Sequence, residues 1–310
     1  MIFRIIFLYA SGSQSTITDI ISLSYTKERY TPYTKLSGKV WLESAPEEIK
    51  GIVLSGPDGA LHVGIADSVS YQRSEGKTIV SFSSRGYTCA LAHNQLTPGL
   101  YPDVTLRGML SNDISLPYVT YENMSDTTDY IFVKENDTMW DAAAAFARKL
   151  GGDYPYISGS NNVRVTRDSG TSLLSVSSEK LVSEEVGQNY TRVVSHLHMK
   201  DLEGSYNTYN LTNQQAVDRQ LVRHRHISFD RQWLSNPDEA LRSAIDYSMR
   251  GIRYKKVRIE GYLKAELRQY ASVSCQSFEI TSREISRIDL SLSEKGIYTT
   301  LWFYDDSYTQ

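Results

Sequence analysis

Residues 133–152 read VKENDTMWDAAAAFARKLGG, and whatever fold this chain adopts has to house them. Thr138 is placed to cap a helix. Asp141, three residues on, can return the hydrogen bond, with Asp in place of the usual Glu of a capping box. Met139, Ala143, Phe146 and Leu150 recur at helical spacing and form one apolar stripe. Gly151 or Gly152 suits the left-handed residue that ends a helix. Alanines 142, 143, 144, 145 and 147 favour helix and let another backbone approach closely. The surrounding chain, with 22 tyrosines and many Thr, Ser and β-branched residues, favours strands. A lone amphipathic helix in such a setting has to cover a sheet. The expected unit is a strand at 129–133, the helix at 138–150, a turn and a strand at 162–166, making a small α/β module over 129–186.

Residues 1–90 read as a β domain with strands at 2–9, 39–42, 51–55, 60–66 and 78–83. The GPDG of 56–59 is a turn, because Pro57 fixes φ and Gly59 tolerates a positive one. SEGK at 74–77 looks like a second hairpin loop. Residues 91–128 form a helical or loop connection, with a short helix expected over PDVTLRGML (102–110), Pro102 in its first turn. Residues 187–310 return to strands around one helix at 236–250. There Asn236 is placed as N-cap, Pro237 at the first position and Glu239 to close a capping box. Leu241, Ala244, Ile245 and Ser248 mark its inner face and Gly251 its end. Strands follow at 255–262, 271–278, 285–293 and 298–304, the last two joined by SEKG (293–296). The fold class is therefore mixed α+β and β-dominated, with a β domain at each end. The N-terminal apolar run 5–10 is too short for a typical signal peptide and reads as a strand buried on both faces. No run reaches the roughly 18 apolar residues that span a bilayer.

A formal net charge of −3 argues against a broad basic surface for nucleic acid. Two cysteines far apart, Cys89 and Cys275, imply no disulfide framework. No nucleophile elbow, phosphate loop, dinucleotide fingerprint or zincin helix is present. Cys89 and His93 in GYTCALAHN would approach each other on a local helix, as a thiolate–imidazole nucleophile needs; the alternative is a buried Cys and an unrelated His. His196-Leu197-His198 and His224-Arg225-His226 both place two imidazoles on one face of a strand. Paired strands would bring four together as a possible zinc or iron site; otherwise they are a polar sheet face. The carboxylate pairs Glu47-Glu48, Glu184-Glu185 and Asp305-Asp306 sit in turn-like or terminal contexts and read as solvated surface. The basic runs RHRH (223–226) and RGIRYKKVR (250–258) suit phosphate, an acidic partner or a solvated strand edge. Catalytic, cofactor-binding and metal-binding residues are accordingly expected to be none.

Three stretches carry a resemblance: IVSFSSRGYTCALAHNQL (79–96), YIFVKENDTMWDAAAAFARKLGG (130–152), and AIDYSMRGIRYKKVRIEGYLKAELRQYASVSC (244–275) with REISRIDLSLSEKGIYTTLWF (283–303). Their layout resembles the baseplate hub proteins of contractile-tail bacteriophages and phage-like particles, including those of Mu-like phages and of defective Bacillus and clostridial prophages. The resemblance implies a homotrimer. Two tube-like β-barrel domains per subunit would build a pseudo-sixfold ring that adapts the six-fold tail tube to the three-fold central spike. It implies tail tube, central spike, tape measure and other baseplate proteins as partners, no membrane, and DNA only as passing cargo. The location would be the virion, with assembly in the bacterial cytoplasm. Some such hubs are fused to lytic or spike domains, for which 310 residues leave no room. The alternative functions are a tail-associated cell-wall hydrolase and a carbohydrate-binding tail protein using exposed Tyr and Trp.

Overall fold

Apolar residues at every second position build the largest sheet. The computed structural model describes residues 3–74, 76–167 and 172–305. In it β1 (Arg4–Tyr9) buries Ile5 and Phe7 completely on one face. The other face carries the half-buried Ile6 and Leu8, so burial is one-sided rather than the two-sided burial expected. Expected residue Ile2 lies outside the described residues. There follow β2 (Gln14–Ile17), β3 (Ile20–Glu28), β4 (Lys35–Leu42), β5 (Ile49–Gly56), β6 (Gly59–Ser74) and β7 (Lys77–Gly86). The turn joining β5 to β6 is the predicted one: Gly56 pairs with Gly59, whose φ is +116°. Likewise β6 turns into β7 across SEGK, of which Glu75 lies outside the described residues. Phe7, Leu23, Tyr25, Val40, Ile52, Leu54 and Phe82 form the core of this sheet.

The segment 102–110 is the first departure from expectation. Its beginning belongs to β8 (Gly99–Thr105), and only α1 (Leu106–Leu110) is helical. Pro102 stands opposite Tyr130 in a two-stranded pairing with β10, where each strand is an edge and a missing N–H is tolerated. Thr105 then caps α1, accepting from Gly108 N at 3.0 Å. Beyond it lie β9 (Thr120–Tyr121), β10 (Thr127–Val133), α2 (Met139–Gly151), β11 (Tyr156–Ser158) and β12 (Asn162–Arg164). In α2 the capping box is complete. Asp141 N donates to Thr138 Oγ1 at 3.1 Å, Thr138 N donates to Asp141 Oδ2 at 2.9 Å, and Gly152 closes the end at φ +72°. Met139, Ala142, Ala143, Phe146 and Ala147 are buried with Met109, Leu110, Ile131, Ile157 and Val163 in a second core. Enclosing a side chain the size of Phe146 contributes about 1.5–3 kcal/mol.

The remaining elements are β13 (Leu174–Val176), β14 (Leu181–Gln188), β15 (His196–Met199), β16 (Tyr209–Thr212), α3 (Gln214–Val217), β17 (His224–Ile227) and α4 (Pro237–Met249). They end with β18 (Arg253–Glu260), β19 (Tyr270–Ser274), β20 (Glu279–Glu284), β21 (Arg287–Ser293) and β22 (Gly296–Tyr304). Pro237 opens α4 and Gly251 at φ +62° follows it, as predicted, but the Asn236 side chain makes no capping bond. Its carbonyl accepts from Glu239 N instead. The chain is β-dominated, with 48% strand against 16% helix. The largest sheet runs β14-β18-β22-β21-β3-β4-β7-β6-β5-β1-β2, and no closed barrel is found among the described residues.

The residues divide into two compact units, Met1–Glu184 with Val257–Trp302, and Glu185–Lys256 with Phe303–Gln310. In the first, β21 pairs antiparallel with β3, Leu290 opposite Tyr25. Asp289 accepts from Thr26 Oγ1 and Trp302 Nε1, each at 2.7 Å. Asn161 fastens the segment before β12 to the sheet, donating to Val63 O and accepting from Thr88 N. In the second unit β15 is central, antiparallel to β16 and parallel to β17. Leu197 and Met199 of β15 pack on Ala240 and Leu241 of α4.

Candidate functional site

Cys89 and His93 are not brought into a catalytic pair. Cys89 lies in a 3₁₀ turn, Tyr87–Ala92, where it is buried. Burial pushes its thiol up, only partly opposed by the Arg85 charge, so the nucleophilic thiolate is disfavoured. His93 Nε2 instead accepts from Arg85 Nη1 at 2.7 Å, and Arg85 also forks onto Asp67 at 2.8 and 2.9 Å.

The carboxylate pairs have separate partners. Glu47 accepts from Ser11 Oγ at 2.7 Å in an exposed loop. Glu184 and Glu185 lie within β14 and not in a turn, because each anchors a different neighbour. Glu184 accepts from the backbone of Gln276 and Ser277; Glu185 accepts from Tyr254 and Lys256. Asp306 lies outside the described residues. The basic run 250–258 is not a strand edge either, since β18 runs between β14 and β22. Its Arg258 lies over the Tyr298 ring, 4.0 Å from the centroid. In the other run, Arg223 donates to the carbonyls of Tyr190 and Thr191.

A small pocket in the first unit is lined by Tyr25, Lys27, Tyr262, Glu266 and Thr299 among others. Lys27, almost fully buried, is bound to Glu266 at 2.6 Å. Burial, then the neighbouring Asp58, pushes the Tyr262 phenol up to about 12. The pocket's cation and anion are spent on each other, so it holds no free base beside a nucleophile. Sequence reasoning did not single out this group, because Lys27 and Glu266 are remote in the chain.

The two His-x-His segments do meet. β15 and β17 pair in register, His196 opposite His224 and His198 opposite His226. The rings stack: His196 on His224 at 4.2 Å and 7°, His224 on His198 at 5.3 Å and 13°, His198 on His226 at 4.8 Å and 18°. Imidazole lone pairs lie in the ring plane: His198 Nε2 and His224 Nδ1 face each other at 3.0 Å and are spent on one another, and the other near-parallel rings do not aim theirs at that point. Among the described residues no group of three or more His, Cys, Asp or Glu is disposed to hold a metal ion.

No family model matches the chain, and no curated protein does. Solved structures match along its whole length. A tail protein from Neisseria meningitidis MC58 superposes with a TM-score of 0.74, over 100% of this chain and 98% of its own, at 11% identity. The fold is that of phage tail proteins. The 43 kDa tail protein of prophage MuSo2 from Shewanella oneidensis gives a TM-score of 0.70 at 12% identity, over 99% of this chain and 100% of its own. An Escherichia coli component of the type VI secretion system, itself structurally similar to T4 bacteriophage tail proteins, gives 0.51 at 9% identity, over 93% and 74%.

Proposed function

We propose that this chain is a structural baseplate hub of a phage tail or phage-like particle. It forms a homotrimer whose subunits each supply two tube-like β-barrel domains to a pseudo-sixfold ring. That ring adapts the six-fold tail tube to the three-fold central spike. Its neighbours are the tail tube, spike, tape measure and other baseplate proteins, and DNA only passes through. The observation that carries this reading is the end-to-end likeness to two tail proteins, near-complete for both partners in each comparison. The failure of Cys89 and His93 to pair supports assembly over bond-breaking as the work of the molecule. A permanent ring of this kind buries about 2,000 Å² or more per interface. Light scattering on the purified chain is expected to give three times the chain mass, unchanged on dilution. A monodisperse monomer, or fragments released from peptidoglycan by the purified chain, would overturn the proposal.

A further inference from the structure

The four imidazoles of β15 and β17 have no part in the proposed hub role. They occupy one face of the second unit's three-stranded sheet, the face away from α4, since Leu197 and Met199 alternate to the other side. β17 is an edge strand there, held by β15 alone, and His224 and His226 are exposed. His198 Nδ1 is bonded to Asn210 Oδ1, an acceptor, so Nδ1 carries the proton. The His198 Nε2 is then bare, and accepts from His224 Nδ1 at 3.0 Å. With His198 and His224 both protonated, two N–H groups would face each other across that distance. His196 Nδ1 is bonded to Ser195 Oγ at 2.9 Å, and Tyr206 meets His226 edge-on at 5.1 Å.

Other charges do not relieve such a stack. From β15 the groups facing it are His196 and His198; from β17, His224 and His226; from β16, the neutral Asn210; from the preceding loop, Tyr206. No carboxylate hydrogen-bonds or ion-pairs with any of the four among the described residues. Arg223 adds a positive charge beside them, turned to the carbonyls of Tyr190, Thr191 and Val193. Desolvation, then the three neighbouring imidazoles, holds His224 below the usual imidazole range.

We infer that this imidazole stack is a proton-sensitive seam: neutral, it holds the edge strand β17 on β15, and successive protonation drives the strand off. Histidine-resolved NMR on the full chain is expected to show His224 keeping its neutral form to lower pH than an ordinary imidazole. Hydrogen exchange of a peptide covering 222–230, corrected for the intrinsic pH effect, is expected to quicken about tenfold between pH 7.5 and 5. His224→Phe keeps a flat ring in the stack without a proton site, and is expected to abolish most of that quickening while leaving protection at pH 7.5 intact. A His224 that titrates as an ordinary imidazole, corrected exchange unchanged with pH, or a His224→Phe chain as pH-sensitive as the parent would each overturn the inference.

Discussion

His62 shows how a single residue can matter without any sequence motif to announce it. It is fully buried in β6, its Nδ1 against Thr34 Oγ1 at 2.7 Å and its Nε2 against Ser84 Oγ at 2.8 Å. Gly64, two residues on, leaves the space: a Cβ there would lie 2.5 Å from His62 Nε2 and 2.2 Å from Arg85 O. Burial lowers the imidazole from 6.5 to about 3, against a smaller pull from Asp67. Between those values the unfolded chain binds the proton and the folded one does not, so stability falls as pH falls. The linkage amounts to about 2 kcal/mol lost between pH 7 and pH 5. His62→Leu leaves two buried hydroxyls without that partner, at about 1–3 kcal/mol each. Urea unfolding is expected to find this variant well below the parent at pH 7, with the gap narrowing by about 2 kcal/mol at pH 5. A gap independent of pH would mean that His62 is not held neutral.

Among the elements, α2 is the one whose start, stop and buried face were all legible, because each is set by residues within a turn of one another. Thr138→Ala removes one half of the capping box and is expected to cost about 1 kcal/mol, read as a lower denaturation midpoint with an unchanged slope. β8 was misread for the complementary reason: Pro102 is compatible both with a helix start and with an edge strand, and its partner β10 decides. β3 went unnoticed because one buried position of its alternating Leu23, Tyr25 and Lys27 is a lysine. The Leu23–Tyr25 spacing was the available signal, and the Glu266 that neutralises Lys27 was not visible locally.

At the scale of the molecule, distant charges lock the first unit together. Asp153, just past α2, is bound to Arg29 and Arg268 at 2.6 Å each, and Glu284 approaches both guanidiniums at 3.5 Å. Arg167 reaches the same Glu284 at 3.0 Å. The β3 end, the α2 exit and the C-terminal strands thus share one network. Removing one partner of a buried pair costs about 3–5 kcal/mol, and the part-exposed Asp153 falls somewhat short of that. Asp153→Ala is therefore expected to cost about 2–3 kcal/mol in urea unfolding, while Asp129→Ala costs under about 1 kcal/mol, since Asp129 is itself exposed and its buried partner Lys149 keeps the Tyr130 carbonyl.

By itself the sequence determined what depends on near neighbours: the Pro57–Gly59 turn, the capping box of α2, the Pro237 start of α4, and the shared face of each His-x-His pair. Steric preference and short-range hydrogen bonds act within a few residues and leave their mark in the order of side chains. Tertiary structure alone decided which strands meet. Thr26 and Asp289 lie 263 positions apart and hydrogen-bond across β3 and β21, and the two histidine strands could have remained strangers. Backbone hydrogen bonds between strands are chemically alike whatever the partner, so the choice rests on the packing and charge of the completed core.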